Sequence, residues 1–175
     1  MKLVCTLLFL AVSLVYSEGY GRGIGSKLEY SDAALEEESG FSVVPHIELL
    51  FPANLGLWIG YSSKSLEGDS LVSKTQEKWT VEGVWFLISP VVGPYLKSGF
   101  ETVSLLRSDE LGDIEYDLFT VGGGALLSAG ELSSIGFFAD YVFPFDRRQS
   151  GYKGEEKMNL NKLRFGLNFK MSIPL

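Results

Sequence analysis

The sequence predicts an all-β fold, an eight-stranded antiparallel up-and-down barrel that crosses a membrane with strands. Three observations point there. Eight stretches alternate apolar and polar side chains, and the connections between them switch regularly between short and long. The chain is also 46% hydrophobic, yet beyond its first seventeen residues no apolar run is long enough for a spanning helix.

Residues 1–17 read as a cleavable export signal and are set aside first. Lys2 supplies the positive start, Leu3 to Val15 the apolar centre, and Val15-Tyr16-Ser17 a cleavage site ahead of Glu18. The only cysteine, Cys5, lies inside this segment. Residues 18–175, the expected barrel domain, therefore have no thiol and no disulfide to lean on, and a closed barrel in a membrane supplies stability by another route.

The strands follow in order. Residues 21–31 place Ile24, Leu28 and Tyr30 on one face and Lys27 and Glu29 on the other. In 41–51, Phe41, Val43, Ile47, Leu49 and Phe51 oppose Ser42, His46 and Glu48, and in 54–65, Leu55, Leu57, Ile59 and Tyr61 alternate with Asn54, Gly56, Trp58, Gly60 and Ser62. The fourth, 77–89, sets Trp79, Val81, Trp85 and Leu87 against Lys78, Thr80 and Glu82, and the fifth, 94–106, sets Leu96, Phe100 and Leu106 against Tyr95, Lys97 and Glu101. The sixth, 115–128, contains Gly122-Gly123-Gly124, and its facing is not set by the pattern. In 134–145, Ile135, Phe137, Tyr141 and Phe143 oppose Gly136 and Asp140. The last, 161–173, is the most regular, with Leu163, Phe165, Leu167, Phe169, Met171 and Ile173 against Lys162, Arg164, Gly166, Asn168 and Lys170.

Connections after the second, fourth and sixth stretches are short: Pro52-Ala53, Ser89 to Gly93, and Ala129 to Ser133. The other four are long and charged, through Glu36-Glu37-Glu38, Glu67-Gly68-Asp69, Arg107 to Asp113, and Asp146 to Asn159. Long loops on one rim and tight turns on the other are the pattern of outer-membrane barrels, with an even strand count placing both termini on the periplasmic side.

Hydrocarbon offers no partner to a backbone N–H or C=O, so the first and last strands must pair and close the sheet. The interior then holds Lys27, Glu29, His46, Glu48, Glu82, Lys97, Glu101, Asp140, Arg164 and Lys170. Eight strands enclose a space that side chains nearly fill, so these charges are expected to pair as a structural plug, with Lys27 and Glu29 meeting Arg164 and Lys170 across the closure. The aromatics Phe51, Tyr61, Trp79, Tyr141, Phe143 and Phe145 lie toward the strand ends, where interfacial rings belong.

The final strand, Arg164-Phe165-Gly166-Leu167-Asn168-Phe169-Lys170-Met171, resembles the C-terminal insertion signal of bacterial outer-membrane barrels, carried here by Arg164, Gly166, Phe169 and Met171. With eight strands, alternating loops and a leader, the chain resembles small barrels of the OmpA transmembrane-domain, OmpX and opacity-protein type. It departs from them in ending Ser172-Ile173-Pro174-Leu175, without the usual terminal aromatic. The resemblance implies an outer-membrane monomer that contacts outer-membrane lipid and lipopolysaccharide and is handled by the barrel-insertion machinery.

The pattern carries none of the signatures expected of a barrel enzyme. A lipid A deacylase of barrel type is expected to carry His-x-Ser, and His46 is followed by Ile47 and Glu48. A barrel palmitoyltransferase needs a histidine near an Asp-Ser pair, and Asp69-Ser70 lies in a loop far from mid-strand His46. No metal or cofactor site is expected, since one histidine and no mature cysteine cannot build a transition-metal centre, and loop carboxylates such as Glu36 to Glu38, Asp109, Glu110 and Asp113 read as solvated charge. With 15 Lys and Arg against 22 Asp and Glu, the chain is no candidate for nucleic acid.

The reading that follows is a non-enzymatic outer-membrane barrel with a structural or surface-interaction role carried by its four long loops. A soluble lipocalin-like binder is the alternative, with Gly56-Leu57-Trp58 as an echo of Gly-x-Trp, and a narrow conduit is another.

Overall fold

The computed structural model describes residues 21–31, 40–66, 74–107, 114–149 and 163–173; the expected leader and most of the four long connections lie outside these. The strands are β1 (Gly21–Ser31), β2 (Gly40–Phe51), β3 (Leu55–Leu66), β4 (Lys74–Phe86), β5 (Gly93–Arg107), β6 (Ile114–Ser128), β7 (Ser133–Gln149) and β8 (Leu163–Ile173). Each pairs antiparallel with its neighbours in chain order, and β1 pairs with β8, so the sheet is a closed barrel with no free edge between first and last strands.

Six of the expected stretches agree with these strands to within two residues, and β7 runs on to Gln149, into the connection expected to begin at Asp146. The fourth is displaced, running Lys74–Phe86 where the alternation predicts 77–89. Pro90, with no N–H to give a ladder, lies in the turn that joins β4 to β5, and the chain leaves the sheet before it. That turn is tied back by the Leu87 N–H donating to the Pro94 carbonyl at 3.0 Å. It is also tied to the β2–β3 turn, where the Phe86 N–H donates to the Asn54 carbonyl at 2.8 Å.

Sidedness follows the alternation. On β8 the exposures of Leu163, Phe165, Leu167 and Phe169 are 46%, 52%, 42% and 44%, whereas Arg164 and Lys170 between them are each 4% exposed. The apolar face is outside and the ionic face inside, the reverse of a soluble barrel. The 11 residues of β8 span about 33 Å along the strand, or about 25 Å of height at a tilt of about 40°, which is the height of a hydrocarbon-facing band.

Strand β6, whose facing the pattern left open, turns Tyr116, Leu118, Thr120 and Leu126 inward and Val121 and Leu127 outward. Its pairing with β7 slips beside Pro144: Asp117 faces Asp146 and Leu118 faces Pro144, leaving Phe145 as the extra residue of a bulge. The side chain of Phe145 is outside the described set. Aromatic pairs mark the outer wall, with Tyr61 and Trp79 centroids 4.5 Å apart and Phe119 between Phe100 and Phe143 at 5.3 Å and 6.4 Å.

Inside, large rings are seated over inward glycines of neighbouring strands. A Cβ placed on Gly166 falls 2.5 Å from Phe138 Cζ and closer still to the Leu28 carbonyl oxygen. No side chain fits there, so the close approach requires glycine. Trp58, Val84, Phe86, Tyr95, Leu126 and Phe138 form an apolar cluster toward the tight-turn end, and the buried charges lie beyond it among Val44, Val103, Tyr116, Leu118 and Val142.

Candidate functional site: the charged lumen

All ten interior residues inferred above, Lys27, Glu29, His46, Glu48, Glu82, Lys97, Glu101, Asp140, Arg164 and Lys170, are buried in the structure. Each is delivered by period-2 alternation on a strand whose other face is apolar. Lys78 joins them at 4% exposure. It lies on the polar face of β4 with Thr80 and Glu82, so strand parity alone places it inside, beyond the ten expected there.

Eight of these groups form a closed circuit of alternating sign. Lys27 Nζ lies 2.7 Å from Glu82, Glu82 lies 3.0 Å from Lys97 Nζ, and Lys97 Nζ lies 2.8 Å from Asp140. From Asp140 the circuit passes to Arg164 at 3.4 Å, to Glu101 at 2.8 Å and to Lys78 Nζ at 3.1 Å. Lys78 donates to Glu29, and Glu29 returns to Lys27 at 3.6 Å. The members come from β1, β4, β5, β7 and β8, so the circuit ties together strands that are not neighbours in the sheet.

A second, smaller assembly closes the tight-turn end. Lys170 Nζ is 2.6 Å from Glu48 Oε1 and donates to the Pro90 carbonyl at 2.6 Å, reaching from β8 to the β4–β5 turn on the opposite wall. It sits 4.6 Å from the Phe86 ring centroid, and the Trp58 Nε1–H donates to Glu48 at 2.8 Å. Lys170 was expected to meet Lys27 and Glu29 at the β1–β8 closure. Only Arg164 does so, at 3.6 Å from Glu29; Lys170, opposite Gly25 in register, turns instead to Glu48 and the Pro90 carbonyl.

The balance of charge is complete among the described buried groups. Lys27, Lys78, Lys97, Arg164 and Lys170 face Glu29, Glu48, Glu82, Glu101 and Asp140. A buried charge without a partner costs several kcal/mol, so equal numbers in alternating order are the arrangement that a low-dielectric lumen can hold. Among these described groups, every carboxylate has a cation beside it. Among the described residues, no group of three or more His, Cys, Asp or Glu could hold a metal ion.

His46 stands apart. Its ring packs 5.0 Å from Trp58 and lies over Gly25, where an added Cβ would come 2.5 Å from Nε2. The imidazole has only the Val44 backbone beside it, the Asn168 amide faces the Tyr95 hydroxyl, and Thr80 Oγ1 has no hydrogen-bond partner in the protein. In the expected insertion signal, Arg164 and Gly166 face the lumen while Phe169 and Met171 are exposed on the outer wall.

No protein-family model matches the sequence, and no curated protein matches it significantly. Solved structures do match in fold. The N-terminal β-barrel domain of OprF from Pseudomonas aeruginosa superposes with a TM-score of 0.57 at 12% identity, covering 87% of this chain and 97% of that one. Neisserial surface protein A gives 0.55 at 11% identity over 88% of this chain and 97% of that one. A major outer membrane protein of Thermus thermophilus gives 0.53 at 13% identity over 89% of this chain and 100% of that one. The chain thus has the eight-stranded closed barrel fold of small outer-membrane proteins.

Proposed function

We infer that this chain is a plugged, non-enzymatic outer-membrane barrel that acts as an anchor for its loops. The observation that carries this is the closed ionic circuit inside a wall whose apolar face points out. A ring of bonded side chains across an eight-stranded lumen leaves no continuous path for solutes, since general diffusion pores have many more strands. The tight turns within 52–54, 87–92 and 129–132 share one rim, and the strand ends that the long connections join lie on the other. With the termini periplasmic, those charged connections face outward and carry the structural or surface-binding role. The monomer contacts lipid and lipopolysaccharide through its outer wall, and residues 164–171 serve the insertion machinery.

Conductance in planar bilayers tests it, alongside unboiled gel migration as proof of folding. Folded protein that inserts and produces no steady current supports the plug. Stable ohmic steps from the folded protein overturn it, and recovery in the soluble fraction without detergent favours a lipocalin-like binder.

A further inference from the structure

One seam of the barrel is incomplete. Between hairpins, β4 pairs with β5 from Phe86↔Tyr95 up to Lys74↔Arg107, and β6 with β7 up to Ile114↔Gln149. The β2–β3 ladder runs only from Phe51↔Leu55 to His46↔Gly60. Both strands nevertheless continue in their own hairpins, to Ser31↔Gly40 and Leu66↔Lys74. Pro45, the next residue on β2, has no N–H to extend the pairing. Beyond that point Val43 and Phe41 are 57% and 64% exposed, against 47% for Ile47 in the paired part.

At the inner apex of this seam stand the two buried side chains His46 and Thr80, 4% and 1% exposed, with Gly60 between them in register. The threonine hydroxyl lacks a protein partner and the imidazole has at most the Val44 backbone beside one nitrogen, so buried hydrogen-bonding capacity is left unused, a costly state. A neutral imidazole offers one donor and one acceptor, and a hydroxyl offers both. The charges nearby are already matched, so a charged guest would have to break an existing pair.

We propose that the β2–β3 seam binds a single-chain amphiphile with an uncharged hydroxyl or amide head, the head bonded to His46 and Thr80. Its apolar tail lies on the outer wall along Val43, Phe41 and Tyr61. This rests on the membrane reading, since the tail needs hydrocarbon around it. His46 and Thr80 are covered at rest, and access comes from further parting of the two hairpins, which no ladder opposes past His46. Behind the seam, Lys27–Glu82 and Lys78–Glu29 join β1 to β4 and limit how deep the head can go.

A long-chain alcohol carrying a diazirine near its hydroxyl is the probe, photolysed with the folded protein in phospholipid vesicles and mapped by mass spectrometry. Label concentrated on 42–46, 60–63 and 80, competed by excess dodecanol, is the expected result. Thr80→Val, nearly isosteric, and His46→Phe should each lower it at least five-fold, and a probe with a quaternary ammonium head should label this region at least five-fold less. Label spread evenly over all eight strands, or unchanged in both variants, overturns the proposal. Failure of the membrane reading shows separately, as protein that does not enter the vesicles.

Discussion

Lys27 on β1 lies 2.7 Å from Glu82 on β4, with two whole strands of the wall between them. Glu82 is shared, since Lys97 approaches it at 3.0 Å from β5. The contact therefore spans the lumen and fixes the distance between hairpins whose own ladder is short.

Removing one member of the circuit leaves the buried positive and negative charges unequal in number. Glu82→Ala is expected to lower stability by about 3–5 kcal/mol, because Lys27 and Lys97 each lose one of two carboxylates and the lumen is left with an excess positive charge. Urea unfolding in lipid vesicles, followed by gel migration, measures it. Replacing Lys27 and Glu82 together by Met and Leu keeps the count of charges equal and should recover most of the loss; a double variant as weak as the single one would show that the ring matters for more than charge balance.

Trp58→Phe keeps the apolar cluster and removes the bond to Glu48. The cost should be about 1.5–3 kcal/mol, the range for a hydrogen bond to a charged group. Lys170→Met, which leaves Glu48 without its cation, should cost more, about 3–5 kcal/mol. The same unfolding assay ranks the two, and equal losses would contradict the assigned pairing.

Gly166→Ala introduces a methyl group that overlaps a backbone oxygen of the adjacent strand. Overpacking of this kind should cost about 1–3 kcal/mol. Truncating Phe138 as well should not restore stability, since the Leu28 carbonyl remains in the way; restoration would mean the ring alone sets the constraint.

On the outer wall, Leu167→Arg at the middle of β8 should destabilise the inserted barrel by about 2–4 kcal/mol, and Ile173→Arg near its end by no more than about 1 kcal/mol. The contrast is read from unfolding in vesicles. Equal effects at the two depths would place β8 outside the hydrocarbon.

Sidedness was legible on seven strands because a strand residue has only two faces to choose from, and one charged neighbour such as Arg164 settles the choice for Phe165 and Leu163. It was not legible on β6, where Gly122 to Gly124 carry no side chain to reveal a preference. The partners within the lumen were also hidden. Lys27 and Glu82 are 55 residues apart, and Arg164 and Glu101 are 63 apart, so their meeting depends on strand stagger that alternation does not encode. The short β2–β3 ladder had one trace in the sequence, Pro45, and a proline alone does not distinguish an edge from a parted seam.

Quenching of tryptophan fluorescence by brominated phospholipids tests the sidedness of the wall most directly. The chain has three tryptophans: Trp79 and Trp85 are 53% and 52% exposed on the outer face, and Trp58 is fully buried in the lumen. A variant keeping only Trp85 should be quenched strongly by bromines in the acyl chains, and one keeping only Trp58 should be nearly untouched. Strong lipid quenching of Trp58, or protection of Trp85 from lipid with quenching by aqueous iodide, would contradict an apolar wall facing hydrocarbon around an ionic core.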